Sequence, residues 1–217
     1  MRENELTADR VVHGYCSGYF PMGQDDGEIA WYSPDPRCIF EFERFHVPRS
    51  LRQTVRQGRF EIRVNSAFAE VMRACAERPD EGTWITQPIF DVYRELHRAG
   101  LAHSLEAWQD GQLVGGLYGV TIGAAYFGES MFHRARDASK VALVFLIERL
   151  AQRGYVLVDT QWRTQHLSRF GVVEIGRDEY LSRLSKAIRL PRAFDDRVTA
   201  NCAGPALRSN AEQERSG

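Results

Sequence analysis

Glu129, in Gly128-Glu129-Ser130-Met131-Phe132, and Asp159, in Asp159-Thr160-Gln161, are the side chains of this chain best suited to chemistry. Each ends a predicted strand, and acids at the ends of two neighbouring strands line a cleft. Residues two apart in extended backbone point to the same side, so Asp159 and Gln161 are expected to face one way. A carboxylate and an amide placed there can orient an amine nucleophile and polarise a carbonyl, which aminolysis of an ester demands. The plain alternative is that such acids only cap nearby backbone. A Ser130–His166–Asp159 hydrolase is poorly supported, because the segment around Ser130 lacks the second glycine of a G-x-S-x-G elbow.

The elements that must position these groups follow from periodicity. A short helix after Thr7, a Gly/Pro-punctuated stretch from Gly18 to Pro36 and an arginine-bearing helix make up residues 1–59, read as a small N-terminal domain. Phe60 to Val64 alternates as a strand, and Asn65 or Ser66 is placed to cap a helix carrying Phe68, Val71, Met72 and Cys75. Thr86 is placed to cap the next helix, with Ile89, Tyr93 and Leu96 inward and Gly100 as its stop. Strands are expected at about 102–108, 112–119 and 122–128, the first two joined by Asp110-Gly111, a hairpin signal. A helix from Ala138 to Arg153, a strand at 155–158, a short helix at 164–170, a strand at 172–175 and a helix at 178–189 complete the pattern.

This is an α/β arrangement in the element order of a GNAT-like acyltransferase, with a mixed, mostly antiparallel sheet over residues 60–190. Residues 191–217 carry few apolar groups and read as a disordered tail. An acetyl-CoA enzyme of this fold opens its long helix with a glycine-rich loop that holds pyrophosphate. Here that stretch is Phe132-His133-Arg134-Ala135-Arg136-Asp137-Ala138-Ser139, without glycine. An acetyl-CoA-dependent N-acetyltransferase is therefore the second reading, and another acyl donor the first.

Composition bounds the rest. With 217 residues, 43% hydrophobic and 26% charged, the chain has room for one full domain and a small accessory one. No apolar run approaches a membrane span and the first residues form no signal core, so a cytoplasmic protein is expected. Cys16, Cys38, Cys75 and Cys202 show no CxxC spacing and read as reduced thiols; the histidines are scattered, and no metal is expected. The net charge of −1 conceals a segment, residues 44–60, with five arginines and no acid. Were residues 49–59 helical, Arg49, Arg52, Arg56 and Arg59 would share a stripe suited to a phosphate backbone, while Leu51 and Val55 turned to the core. Trp84, on a loop, suits stacking on a base or covering the core.

Several ordered motifs carry a resemblance. Trp31 to Arg37, Thr83 to Thr86, His103 to Trp108, Leu113 to Val120, Gly128 to Phe132, Ala138 to Lys140 and Asp159 to Gln161 together resemble the leucyl/phenylalanyl-tRNA–protein transferase family, over roughly residues 10–188. The resemblance implies a GNAT-like domain behind a small N-terminal one, acting without cofactor; a monomer is expected. It implies transfer of leucine, phenylalanine or methionine from aminoacyl-tRNA to proteins beginning with Arg or Lys, marking them for degradation. By position, Asp159 would engage the attacking amine and assist its deprotonation, Gln161 would orient the reacting groups, and Glu129 would bind the donor end and support that network. Trp84 would stack on the terminal adenosine, and Tyr15 and Tyr93 line the approach. Leu117, Leu143, Leu146, Leu150 and Val158 would form the apolar side-chain pocket, and the arginine stripe would hold the acceptor stem. The chain departs from the family pattern in its short N-terminus, in Met22, where some members have tryptophan, and in Leu146 and Leu150, where others have phenylalanine. The last two favour leucine as donor.

Overall fold

A computed structural model describes residues 6–77 and 82–195. Helix α1 (Ala8–Cys16) begins where Thr7 accepts a hydrogen bond from the Arg10 backbone N–H, and leads into a hairpin of β1 (Phe20–Gly23) and β2 (Ile29–Tyr32). Then come β3 (Arg37–Phe40), α2 (Arg49–Arg56), β4 (Glu61–Val64), α3 (Phe68–Ala76) and α4 (Gln87–Arg98). The chain continues through β5 (Ala102–Gln109), β6 (Gln112–Ile122), β7 (Ala125–His133), α5 (Ala138–Gln152), β8 (Leu157–Gln161), α6 (Gln165–Ser168), β9 (Val173–Ile175) and α7 (Arg177–Ala187). From β4 onward this is the expected order.

Seven strands make one mixed sheet in the order β4-β5-β6-β7-β8-β3-β9. All neighbours run antiparallel except β7 and β8, whose parallel pairing requires a crossover, supplied by α5. Strict alternation assigns side chains to the two faces. Tyr118, Phe127, Leu157 and Ile39 pack with α1, α3, α4 and α7, while Leu117, Tyr126, Val158 and Phe40 pack with α2 and α5. The sheet is thus covered on both faces by helices.

Pairing between β7 and β8 runs from Ala125–Leu157 to Phe127–Asp159 and stops; β8 then continues against β3. Beyond Phe127 and Asp159 the two strands part, opening the sheet where Glu129 and Gln161 stand. The turn Asp110-Gly111 has φ of 51° and 74°, the left-handed pair expected of its hairpin.

Several expectations are corrected. The first 40 residues contain three strands, and β3 lies inside the main sheet between β8 and β9. Their shortness, four residues each, and Pro21 within β1 hid them from periodicity. Neither Asn65 nor Ser66 caps α3 by its side chain. Asn65 adopts φ 57°, and the buried Glu106 of β5 receives the Ser66 and Ala67 backbone N–H groups instead, at 3.1 Å each to Oε1. A tertiary carboxylate has taken the role of a local cap. β7 runs on to His133 because the long β6 pairs with it as far as Gly115, so Glu129 lies within the strand rather than at its end. Arg59 lies beyond α2. Phe194, in the stretch read as tail, is 3% exposed against His103, Tyr126 and Tyr155; residues 196–217 lie outside those described, as does Cys202. Cys16, Cys38 and Cys75 are free thiols. Among the described residues no helix is long and apolar enough to cross a membrane.

Candidate active site

A β-bulge builds the acidic end of the site. Tyr118 pairs with Ser130 and Gly119 with Gly128, which leaves Glu129 as the extra residue on β7. A bulge re-aims the side chain it frees. Glu129 is directed onto two buried tyrosines, accepting from the Tyr15 hydroxyl at 2.6 Å and the Tyr93 hydroxyl at 3.1 Å. The two hydroxyls also meet each other at 2.5 Å. Three oxygen–oxygen contacts are made with only two hydroxyl protons, and a proton on Glu129 completes the set. Burial pushes the Glu129 pKa up to about 7; the tyrosine bonds pull it down and Asp159 adds to the rise. Burial beside Glu129 holds both tyrosines well above their ordinary range, so both stay protonated donors.

Asp159 stands differently. It is 0% exposed, and Arg37 binds it through Nε, at 2.9 Å to Oδ1, and through Nη2, at 2.7 Å to Oδ2. The Tyr180 hydroxyl adds a bond of 2.7 Å to Oδ2, and the Gln161 backbone N–H one of 2.8 Å to Oδ1. With these donors the carboxylate has little acceptor capacity left. Arg37 is itself held between the rings of Phe20 and Tyr180, at 4.8 and 4.6 Å, and donates to the Gly18 carbonyl. The loop after α1, β3, β8 and α7 therefore meet on one buried ion pair.

The bond from Asp159 to the Gln161 backbone N–H closes a side-chain turn, and Gln161 adopts φ 65°. Gln161 consequently does not follow the extended geometry read from the two-residue spacing. Its Nε2 instead donates to Glu129 Oε1 at 3.2 Å. The predicted trio of Glu129, Asp159 and Gln161 is brought together, with Glu129 and Gln161 in direct contact.

These groups border a cavity of about 560 Å³. Leu117, Met131, Leu143, Leu146 and Val158 form its apolar wall, and Met22, Trp84 and Trp162 its aromatic and sulfur-bearing rim. Ser130, His133 and His166 also line it. Leu150 does not line the cavity: it is fully buried in the packing of α5 on the sheet. Tyr15 and Tyr93 are likewise fully buried and hold Glu129 rather than line an approach. Arg49, Arg52 and Arg56 are exposed on α2, with Arg59 exposed just after it; none lines the cavity. The hydrolase trio is not assembled, since Asp159 is bound to Arg37 and Tyr180. Among the described residues no cluster of three His, Cys, Asp or Glu side chains is arranged to hold a metal ion.

The sequence reading missed Arg37 and Tyr180. Arg37 stood at the end of the motif Trp31 to Arg37, where an arginine followed directly by Cys-Ile-Phe is a sign of burial; Tyr180 carried no local signal.

A mixed α/β sheet parted at one strand pair, with a carboxylate–amide end beside an apolar wall, makes a cleft with the features an acyl-transferring enzyme requires. Residues 39–185 match the family described as leucyl/phenylalanyl-tRNA protein transferase, and residues 4–35 match the N-terminal domain of the same family. The chain is 53% identical over 190 residues to the leucyl/phenylalanyl-tRNA–protein transferase of Herpetosiphon aurantiacus, covering 87% of this chain and 98% of that protein. It is 51% identical over 190 residues to the transferase of that name from Gloeobacter violaceus, covering 87% and 97% of the two. The chain belongs to the leucyl/phenylalanyl-tRNA–protein transferase family, whose members are aminoacyltransferases that form peptide bonds.

Proposed function

We propose that the chain moves leucine, phenylalanine or methionine from aminoacyl-tRNA to the N-terminal α-amine of proteins that begin with Arg or Lys, marking them for degradation. The observation that carries this reading is the contact of Glu129 with Gln161 at the mouth of an apolar cavity. In this reading the donor side chain enters between Leu117, Leu143, Leu146 and Val158, the terminal adenosine lies on Trp84 and Met22, and the ester carbonyl comes to the polar mouth. The acceptor amine attacks that carbonyl. Glu129, with a pKa of about 7, takes the amine's proton as the C–N bond forms. As the tetrahedral intermediate collapses, the bond to the ribose oxygen breaks and Glu129 returns the proton to that oxygen. The α-amine has a pKa of about 8, close enough for Glu129 to accept its proton. Gln161 orients the carboxylate, and Asp159 acts as a positioning residue that holds Gln161 in its turn. The ester is already activated, so the step needs neither nucleotide hydrolysis nor metal.

We read the strand order and the parting of β7 from β8 as GNAT-like. The acetyl-CoA alternative meets an obstacle where pyrophosphate would bind. Asp137 sits at the N-terminus of α5 with φ 68°, and its carboxylate bonds Lys140 at 2.6 Å. An acid there complements the helix dipole, and the stretch has no glycine to let backbone N–H groups cradle a pyrophosphate. In this reading the accessory domain ends near residue 36 rather than 59, because β3 belongs to the catalytic sheet. The protein acts as a cytoplasmic monomer.

Incubation with labelled leucyl-tRNA and a peptide beginning with Arg is expected to yield labelled peptide. No label, with donor and folded protein verified, would refute the reading. The arginines of α2 are proposed to hold the acceptor stem. Replacing Arg52 and Arg56 with Ala is expected to weaken tRNA binding about tenfold at moderate salt and to lower the salt slope by about 1–2. Unchanged binding in a filter assay would return both to a merely solvated face.

A further inference from the structure

Trp162 directly follows Gln161, lines the cavity rim and keeps 39% of its surface open. Two rings brace it, and it keeps that exposure beside them. Phe20 meets it at 5.0 Å and 88°, and Tyr32 at 5.9 Å and 69°, so neither ring stacks face to face upon it. Both braces come from the hairpin that also places Met22 on the cavity. The neighbouring cation is engaged elsewhere, since Arg163 reaches Glu174 and Ser168, each at 3.1 Å.

An open indole could receive a nucleobase or a cation, and the surroundings separate the two. A base-stacking platform for RNA works together with cations that meet the phosphates. Here the adjacent arginine is paired with Glu174, and the acceptor oxygens of Glu129 and Gln161 border the same cavity, which favours a cation over a phosphate. An amine attacking at Glu129 and Gln161 brings the first residue of its own chain to this rim. Indole is the strongest of the side-chain rings as a partner for ammonium and guanidinium groups.

We propose that Trp162 is a specificity-determining residue for the acceptor, receiving the cationic head of its first side chain on the open indole face. This rests on the acceptor reading given above. The test measures initial rates for wild type, Trp162→Phe and Trp162→Leu with peptides beginning with Arg, Lys or the neutral isostere citrulline, varying peptide and leucyl-tRNA separately. Trp162→Leu is expected to raise KM for the Arg and Lys peptides about tenfold, Trp162→Phe by less, with KM for citrulline peptide and for leucyl-tRNA unchanged. A rise in KM for leucyl-tRNA instead would make the residue a base platform and overturn the proposal. Equal losses for all three peptides would overturn it in favour of a structural brace, as would wild-type behaviour of both variants. Should Trp162→Leu fail to fold, the smaller Trp162→Phe change carries the comparison. Failure of wild type to label the Arg peptide would instead refute the transferase reading itself.

Discussion

Glu129→Gln is expected to lower the transfer rate by about 10²–10⁴-fold and, at pH 8, to raise the melting temperature. The two effects share one cause. A carboxyl held at a pKa of about 7 in the folded protein, against about 4.3 in an unfolded chain, binds its proton more tightly when folded. The stability this confers is complete below pH 4 and is lost as the pH rises through 7, where the half-buried group ionises. By pH 8 the ionised group costs on the order of 3 kcal/mol relative to a neutral side chain. Glutamine accepts from the Tyr15 hydroxyl through its carbonyl oxygen and donates an amide N–H toward Tyr93, as the protonated acid would, yet neither ionises nor takes a proton. Wild-type kcat/KM should climb with pH through about 7, while the variant keeps only the limb due to the acceptor amine. Thermal unfolding and rate profiles between pH 5 and 9 check both parts. A variant within threefold of the wild-type rate would remove Glu129 from proton transfer.

Arg37→Met should destabilise the fold by about 3–5 kcal/mol, read as a lower urea midpoint. The guanidinium is buried between two rings, and its removal leaves the Asp159 carboxylate at 0% exposure with Tyr180 and one backbone N–H as its remaining partners. An uncompensated buried charge dominates that cost. The double variant Arg37→Met/Asp159→Leu removes both charges and should recover most of the midpoint, because well-packed apolar groups commonly replace a buried pair without loss. Transfer should stay low in the double variant. Without Asp159 nothing closes the turn that sets Gln161 at φ 65°, so the amide no longer meets Glu129. Full activity in the stable double variant would show that Asp159 has no positioning role. An unchanged midpoint for Arg37→Met would show that the pair is not what ties the N-terminal segment to β8.

Elements whose signal is local were legible. Thr7 caps α1, Asp110-Gly111 turns its hairpin, and α5 ends before Gly154 at φ 72°, each set by neighbours a few residues away. Elements that depend on distant partners were not. β3 is four residues long and becomes a strand because β8 and β9 lie on either side of it. The α3 cap was misassigned for the same reason, since Glu106 arrives from β5, 39 residues beyond Ala67. Leu150 shares one helix pattern with the pocket residues Leu143 and Leu146, and only the placement of the sheet decides which of them faces the cavity.

The site divides along the same line. Residue type and order alone singled out Glu129, Asp159 and Gln161, and the fold brings all three to one cavity, although Glu129 lies within β7 rather than at its end. Only the tertiary structure decided how they differ. Tyr15 reaches Glu129 across 114 residues and Arg37 reaches Asp159 across 122, separations over which sequence pattern carries no distance information. One acid is half-buried against two tyrosine hydroxyls, with its pKa pushed up to about 7; the other is fully buried against a guanidinium. Charge state is a property of surroundings, and folding supplies them.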